Sequence, residues 1–180
     1  MDNKKGDRKF VLTGGASCGK TTLLGELRRR GYQVIEEAAT DILEDRADRI
    51  VNSEEIELRQ KLIFRRSLRR ENYDFGSNMV FFDRGLVDCL VYSQYYLGRI
   101  PDEIKNFDCS KRYDDIFVLD RLNFEKNHVR IEKDNDEAEK IHQLIIEYYK
   151  INGYNPIFVP LMKVEERAYF ILNYLKGGEI

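Results

Sequence analysis

Residues 14–22, GGASCGKTT, constrain the fold of this chain more than any other stretch. An apolar run (Phe10, Val11, Leu12) precedes them and an apolar-periodic run (Leu23, Leu24, Leu27) follows, so a strand should enter the loop and a helix should leave it. Gly14, Gly19, Lys20 and Thr21 fill the P-loop pattern G-x-x-x-x-G-K-[ST]. Glycines let the loop wrap until successive backbone N–H groups converge on phosphate oxygens, and the positive end of the following helix continues that anion site. Gly14, Gly15, Ala16, Ser17, Cys18, Gly19, Lys20, Thr21 and Thr22 are therefore the expected nucleoside triphosphate contacts. Lys20 is expected to reach the β- and γ-phosphates, and the Thr21 hydroxyl to ligate Mg²⁺.

The rest of the chain alternates strand and helix. Strands are expected at 9–13, 32–36, 77–83, 115–119 and 157–159, as apolar runs of the kind buried on both faces. The first helix should end at Gly31. Helices follow at about 38–49 and 53–73, the latter capped by Ser53 and turning Ile56, Leu62, Ile63 and Leu68 inward. Others are expected at 85–97, closed by Gly98, and briefly at 101–108 behind Pro101. Asp134 with Glu137 resembles a capping box for a helix burying Ala138, Ile141, Ile145 and Tyr148, and a last helix turns Val164, Ala168, Ile171 and Leu175 to one side. Residues 120–134 lack periodicity and read as a loop or lid. The whole predicts a single α/β domain over 1–180, a parallel sheet with helices on both faces. Its ligand should gather at the carboxyl ends of the strands.

That rule selects further candidates. Asp83 closes the apolar run Met79, Val80, Phe81, Phe82, where an acid can hold Mg²⁺ opposite Thr21. Arg84 beside it is either an ion-pair partner or a substrate ligand. Glu36 and Glu37 follow the second strand. A carboxylate there can take the proton of an attacking hydroxyl, and alternation turns one of the two toward the site, with Glu37 preferred. In the lid, Arg121, Lys126, Arg130 and Lys133 are cations that can close over transferred charge, and Arg130 is the choice. His128 and His142 lack metal-ligand spacing and read as surface or helix-face residues. The cluster Arg65, Arg66, Arg69, Arg70 reads as a solvated face. Cys18 sits where positive potential can activate a thiol, although the loop needs none.

Composition narrows the classes. Charged residues balance to a formal net charge of -2, so no basic surface for a nucleic-acid backbone is expected. Cys18, Cys89 and Cys109 are odd in number and have no C-x-x-C pair, which argues against a disulfide framework or zinc site. With a charged N-terminus and no run of membrane-spanning length, a soluble cytoplasmic protein is expected. The absence of N-K-x-D and of D-x-x-G after the third strand argues against a signalling GTPase.

Taken together, FVLTGGASCGKTTLLGELRRRGYQVIEEAATDIL, FFDRGLVD, YDDIFVLD, a lid containing VR, INGYNPIFVP and VEER in the last helix resemble the NadR-like predicted ATPases. These are P-loop proteins related to the nicotinamide riboside kinase domain and, more distantly, to deoxynucleoside and thymidylate kinases. The resemblance implies strand order 2-3-1-4-5, a lid between the fourth strand and the next helix, Glu37 as base, Asp83 and Arg84 as an acid-arginine pair, and Gln60 as a reader of the acceptor's base. Lys163 departs from the pattern, which often has a small capping residue there. The expectation is an ATP- and Mg²⁺-dependent kinase acting on a hydroxyl of a nucleoside-like molecule. The alternative is a nucleotide-binding regulator or slow NTPase. A cavity beside Glu37 and Arg84 favours the first, and packing or pairing of those groups suits the second.

Overall fold

A computed structural model describes residues 7–39, 42, 52–76, 78–121 and 134–178. Five strands form one sheet: β1 (Arg8–Thr13), β2 (Gln33–Ile35), β3 (Met79–Asp83), β4 (Asp115–Leu119) and β5 (Ile157–Val159). All pairs are parallel, in the order β2-β3-β1-β4-β5. The helices are α1 (Lys20–Arg29), α2 (Ser53–Glu71), α3 (Leu86–Leu97), α4 (Asp102–Lys105), α5 (Asn135–Ile151) and α6 (Val164–Leu175). This is the three-layer P-loop fold.

Strand alternation explains why the strands read as unbroken apolar runs. Phe10, Leu12, Phe81, Phe117 and Val159 face α1 and α6, packing on Leu23, Leu27, Ala168 and Ile171. Val11, Val80, Phe82, Ile116 and Val118 face the other way, onto Leu86, Leu90, Ile141, Ile145 and Tyr149. Both faces are covered, so no polar position remains to mark the period. Fully burying a side chain such as Phe10 or Phe81 contributes about 1.5–3 kcal/mol. Among the described residues, no helix is long and apolar enough to cross a membrane.

Several local expectations are corrected. The cap of α2 is Asn52, whose side chain accepts from the Glu55 N–H at 2.9 Å, one residue before the expected Ser53. On the same helix Phe64 turns inward beside Ile63 while Leu62 is exposed; two adjacent apolar positions left the phase of the stripe open. The helix expected at 38–49 begins in a bend at Ala38 and Ala39, and its remainder lies almost wholly outside the described residues. The short helix near Pro101 ends at Lys105 rather than 108. Asp134 caps α5 as expected, accepting from the Glu137 N–H at 2.9 Å, but Tyr149, not Tyr148, is the fully buried tyrosine. The unusual Lys163 costs α6 little: its backbone N–H donates to the Glu166 carboxylate at 3.0 Å, so the cap comes from Glu166.

Candidate active site

Register brings the site together. Leu12 lies opposite both Asp83 on β3 and Phe117 on β4, and the Arg84 N–H donates to the Leu12 carbonyl at 3.1 Å. The phosphate loop and the carboxyl ends of its two neighbouring strands therefore share one rim. Gly14 has φ 136 and Gly19 φ 79, values that L side chains rarely adopt. Lys20 begins α1, buried, with Nζ donating to the Gly14 and Gly15 carbonyls at 2.9 and 3.2 Å and to Cys18 Sγ at 3.2 Å. Thr21 and Thr22 are exposed in the first turn of α1, while Ala16 and Cys18 are buried. Burial of Cys18 in the core beside α1 and α6 removes the access that thiol reactivity requires.

Glu36 and Glu37 separate as alternation predicts. Glu36 points away to an ion pair with Arg28 at 2.8 Å, 72% exposed. Glu37 pairs with Arg84 Nε at 2.8 Å and keeps 29% of its side chain exposed. Asp83 Oδ1 is buried with no hydrogen-bond partner among the described residues. Burial, and then the charge of Glu37, push its carboxyl up to about 7, while Lys20 and Arg84 pull it down. These influences tie the ends of β1, β2 and β3 into one electrostatic unit. A buried carboxylate oxygen with no donor and an anion beside it fits a cation, and Mg²⁺ characteristically uses one or two carboxylates, with waters and phosphate oxygens completing its shell. Among the described residues no cluster of three or more His, Cys, Asp or Glu could hold a metal ion by itself.

Arg84 sits at φ 67, a left-handed conformation that is uncommon outside glycine. Several contacts over-determine it: Glu37, Asp88 Oδ1 at 3.2 Å, the Gly14 carbonyl at 3.2 Å, and the ring of Tyr92, whose centroid lies 5.0 Å from the guanidinium carbon. Asp88 escaped the sequence reading. Almost fully buried in the first turn of α3, it accepts from Thr13 Oγ1 at 2.6 Å, the Gly85 N–H at 3.0 Å, Tyr149 OH at 2.7 Å and Arg84. Its one visible signal was the i,i+4 spacing from Arg84.

His142, read as a surface or helix-face residue, lies on the buried face of α5 and not on the surface: it packs against the phosphate loop, accepting from the Gly15 N–H at 3.1 Å. Arg167 of the VEER segment was likewise missed. Buried, it donates to the Cys18, Pro160 and Asp120 carbonyls at 2.7, 3.1 and 3.3 Å, binding the loop to the ends of β4 and β5. Arg121 reaches the Ala16 carbonyl at 3.2 Å and pairs with Glu139 at 2.8 Å. On α2, Arg65 and Arg69 are exposed and Arg66 and Arg70 half-buried; at this surface Arg65 pairs with Glu103 at 2.6 Å and Arg70 donates to the Glu36 carbonyl at 2.6 Å. Gln60 is buried on the face of α2 that carries Ile63 and Phe64. Arg130, His128, Lys126 and Lys133 lie outside the described residues, as does 122–133 of the expected lid.

Comparison with known proteins agrees with this architecture. A family model described as an AAA domain matches residues 9–167. A NadR protein solved in complex with NR superposes with a TM-score of 0.75 at 19% identity, over 97% of this chain and 51% of that one. The deoxyadenosine kinase from M. mycoides with bound dATP gives 0.64 at 15% identity, over 93% and 99% of the two chains. A thymidylate kinase from Candida albicans gives 0.61 at 9%, over 95% and 92%. The chain spans about half the length of the NadR structure. At these identities the likeness is one of fold. No curated protein matches the sequence.

Proposed function

The chain belongs to the AAA-domain family, and on that premise we propose that it is a phosphotransferase passing the γ-phosphate of ATP to a hydroxyl of a small, nucleoside-like acceptor. One observation carries the reading: the partly exposed carboxylate of Glu37 pairs at 2.8 Å with Arg84, which also meets the Gly14 carbonyl of the phosphate loop at 3.2 Å, and its charge acts on Asp83. In this reading residues 14–22 bind the triphosphate and Lys20 leaves its carbonyl partners for the β- and γ-oxygens. Glu37 orients the acceptor hydroxyl and accepts its proton. Arg84, held by Asp88 and Glu37, positions that hydroxyl, and Gln60 and Arg130 are assigned to the acceptor's base and to transferred charge. Thr21 and Asp83 would hold Mg²⁺, which when bound neutralises charge on the bridged phosphate oxygens. The fold likeness to NadR and to nucleoside and nucleotide kinases supports the acceptor class. The reaction is read as cytoplasmic.

A second reading has its own support. Glu37 and Arg84 are paired with one another, as suits a nucleotide-binding regulator or slow NTPase without an acceptor. ADP release from Mg·ATP, alone and with a panel of nucleosides including nicotinamide riboside, separates the two. A severalfold rise with one acceptor, lost in Asp83→Asn, is expected of the kinase. Slow release indifferent to every acceptor, despite tight nucleotide binding, would establish the regulator instead.

A further inference from the structure

The phosphate loop is gripped from outside by a group that the chemistry above does not use. His142 Nδ1 accepts from the Gly15 N–H. The same peptide unit carries the Gly14 carbonyl, which receives Lys20 Nζ at 2.9 Å and Arg84 Nη1 at 3.2 Å. One peptide plane is thus clamped on both edges. Turning it over would withdraw the carbonyl from both cations and face it toward the imidazole. The fit around it is close: a Cβ on Gly15 would lie 2.6 Å from the Ala138 carbonyl and 3.0 Å from His142 Cβ. Gly15 occupies a variable position of the motif, so it is α5 and not the phosphate chemistry that requires glycine there.

Only a neutral imidazole with its proton on Nε2 can accept at Nδ1. A protonated ring would set two N–H donors face to face inside the protein, leaving the Gly15 N–H without an acceptor. Resting on the reading of residues 14–22 as a nucleotide site, we propose that His142 is the positioning residue of the phosphate loop. Its neutral Nδ1 orients the Gly14–Gly15 peptide so that the Gly14 carbonyl keeps Arg84 over the site and holds Lys20 there until the phosphates take it, and its protonation releases the loop and weakens nucleotide binding. The groups facing it are Glu139 on its own helix, Asp120 and Arg121 at the end of β4, and Lys20 on α1. Burial first, then Arg121 and Lys20, hold the imidazole below its ordinary 6.5 against Glu139 and Asp120. The accepting form therefore prevails at neutral pH, and release belongs to acid.

The test is calorimetric titration of the full chain with metal-free ADP between about pH 8 and 5.5, spanning the ordinary range of histidine, using the wild type, His142→Asn and His142→Leu. Asparagine keeps an acceptor near the place of Nδ1 and does not titrate. At pH 8 it should bind within about threefold of the wild type, whereas leucine, orphaning the Gly15 N–H, should bind about tenfold more weakly. Toward acid the wild type should lose affinity progressively relative to His142→Asn, by less than the roughly tenfold that an imidazole at its ordinary value would give at about pH 5.5, the ligand's own titration being common to both. An acid loss equally large in His142→Asn, or leucine binding as tightly as histidine at pH 8, would overturn the assignment. If leucine does not fold, the asparagine comparison decides alone. A wild type that binds no ADP at pH 8 would overturn the nucleotide reading, and this assignment with it.

Discussion

Asp88→Asn is the substitution that most directly tests how this fold builds its site. The Asp88 carboxylate takes two donors on each oxygen: Thr13 and Arg84 on Oδ1, Gly85 N–H and Tyr149 OH on Oδ2. Asparagine preserves the shape but offers one acceptor oxygen, so its amide must confront two of those donors. Tyr149 can rotate its hydroxyl and accept instead. The Gly85 N–H is fixed and becomes an unsatisfied buried donor, at about 1–3 kcal/mol. Loss of the charge-assisted contact to Arg84 adds roughly 1 kcal/mol. Urea denaturation should therefore show about 2–4 kcal/mol of destabilisation with an unchanged m-value, and the melting temperature should fall by roughly 4–16 °C for a domain of this size. Tyr149→Phe should cost only about 1 kcal/mol, because Asp88 retains three donors. In the double variant the two effects should fall short of additivity by at least about 0.5 kcal/mol, since they share one hydrogen bond. A loss below about 0.5 kcal/mol in Asp88→Asn, or strict additivity, would refute the claim that this carboxylate organises the start of α3.

Gly15→Ala should weaken nucleotide binding at least about tenfold by calorimetry, because its Cβ would meet backbone at 2.6 Å and push the loop off α5; wild-type affinity would show that the loop yields there. Glu37→Gln should bind ATP within about threefold of wild type and lose phosphotransfer by at least about a hundredfold, consistent with removal of a general base; unchanged turnover removes Glu37 from the mechanism. Glu71, buried against Arg112 at 2.9 Å and the Tyr113 hydroxyl, is pushed up to about 7 by burial. Its native pKa lies above the unfolded value of 4.5, so the stability it contributes is complete below that value and is lost as pH rises through about 7. Chemical denaturation across that window should show a shallower decline for Glu71→Gln than for wild type, and parallel curves would contradict the shift.

The local form of residues 14–22 was legible because that motif is short and contiguous: a strand, a glycine loop and a helix suffice to specify it. The same holds for the five strands, since burial on both faces of a parallel sheet leaves an unbroken apolar run, and for the Asp134 cap, whose partner is three residues away. The strand order followed from the family resemblance, and the sheet bears it out. The two-residue period of an extended chain is likewise enough to turn Glu36 and Glu37 to opposite sides. What the chain alone did not disclose is carried by partners far apart in it: Asp88 with Tyr149 across 61 residues, Gly15 with His142 across 127, Cys18 with Arg167 across 149. Helical periodicity says that His142 and Tyr149 share a face, but not that the face meets a phosphate loop and an acid. A buried histidine and a solvated one have the same local pattern, and two adjacent tyrosines leave the phase of a helix open by one position. Only the docking of α5 and α6 against the rim of the sheet turns those side chains into supports of the site, because a hydrogen bond between distant segments is specified by packing and not by spacing.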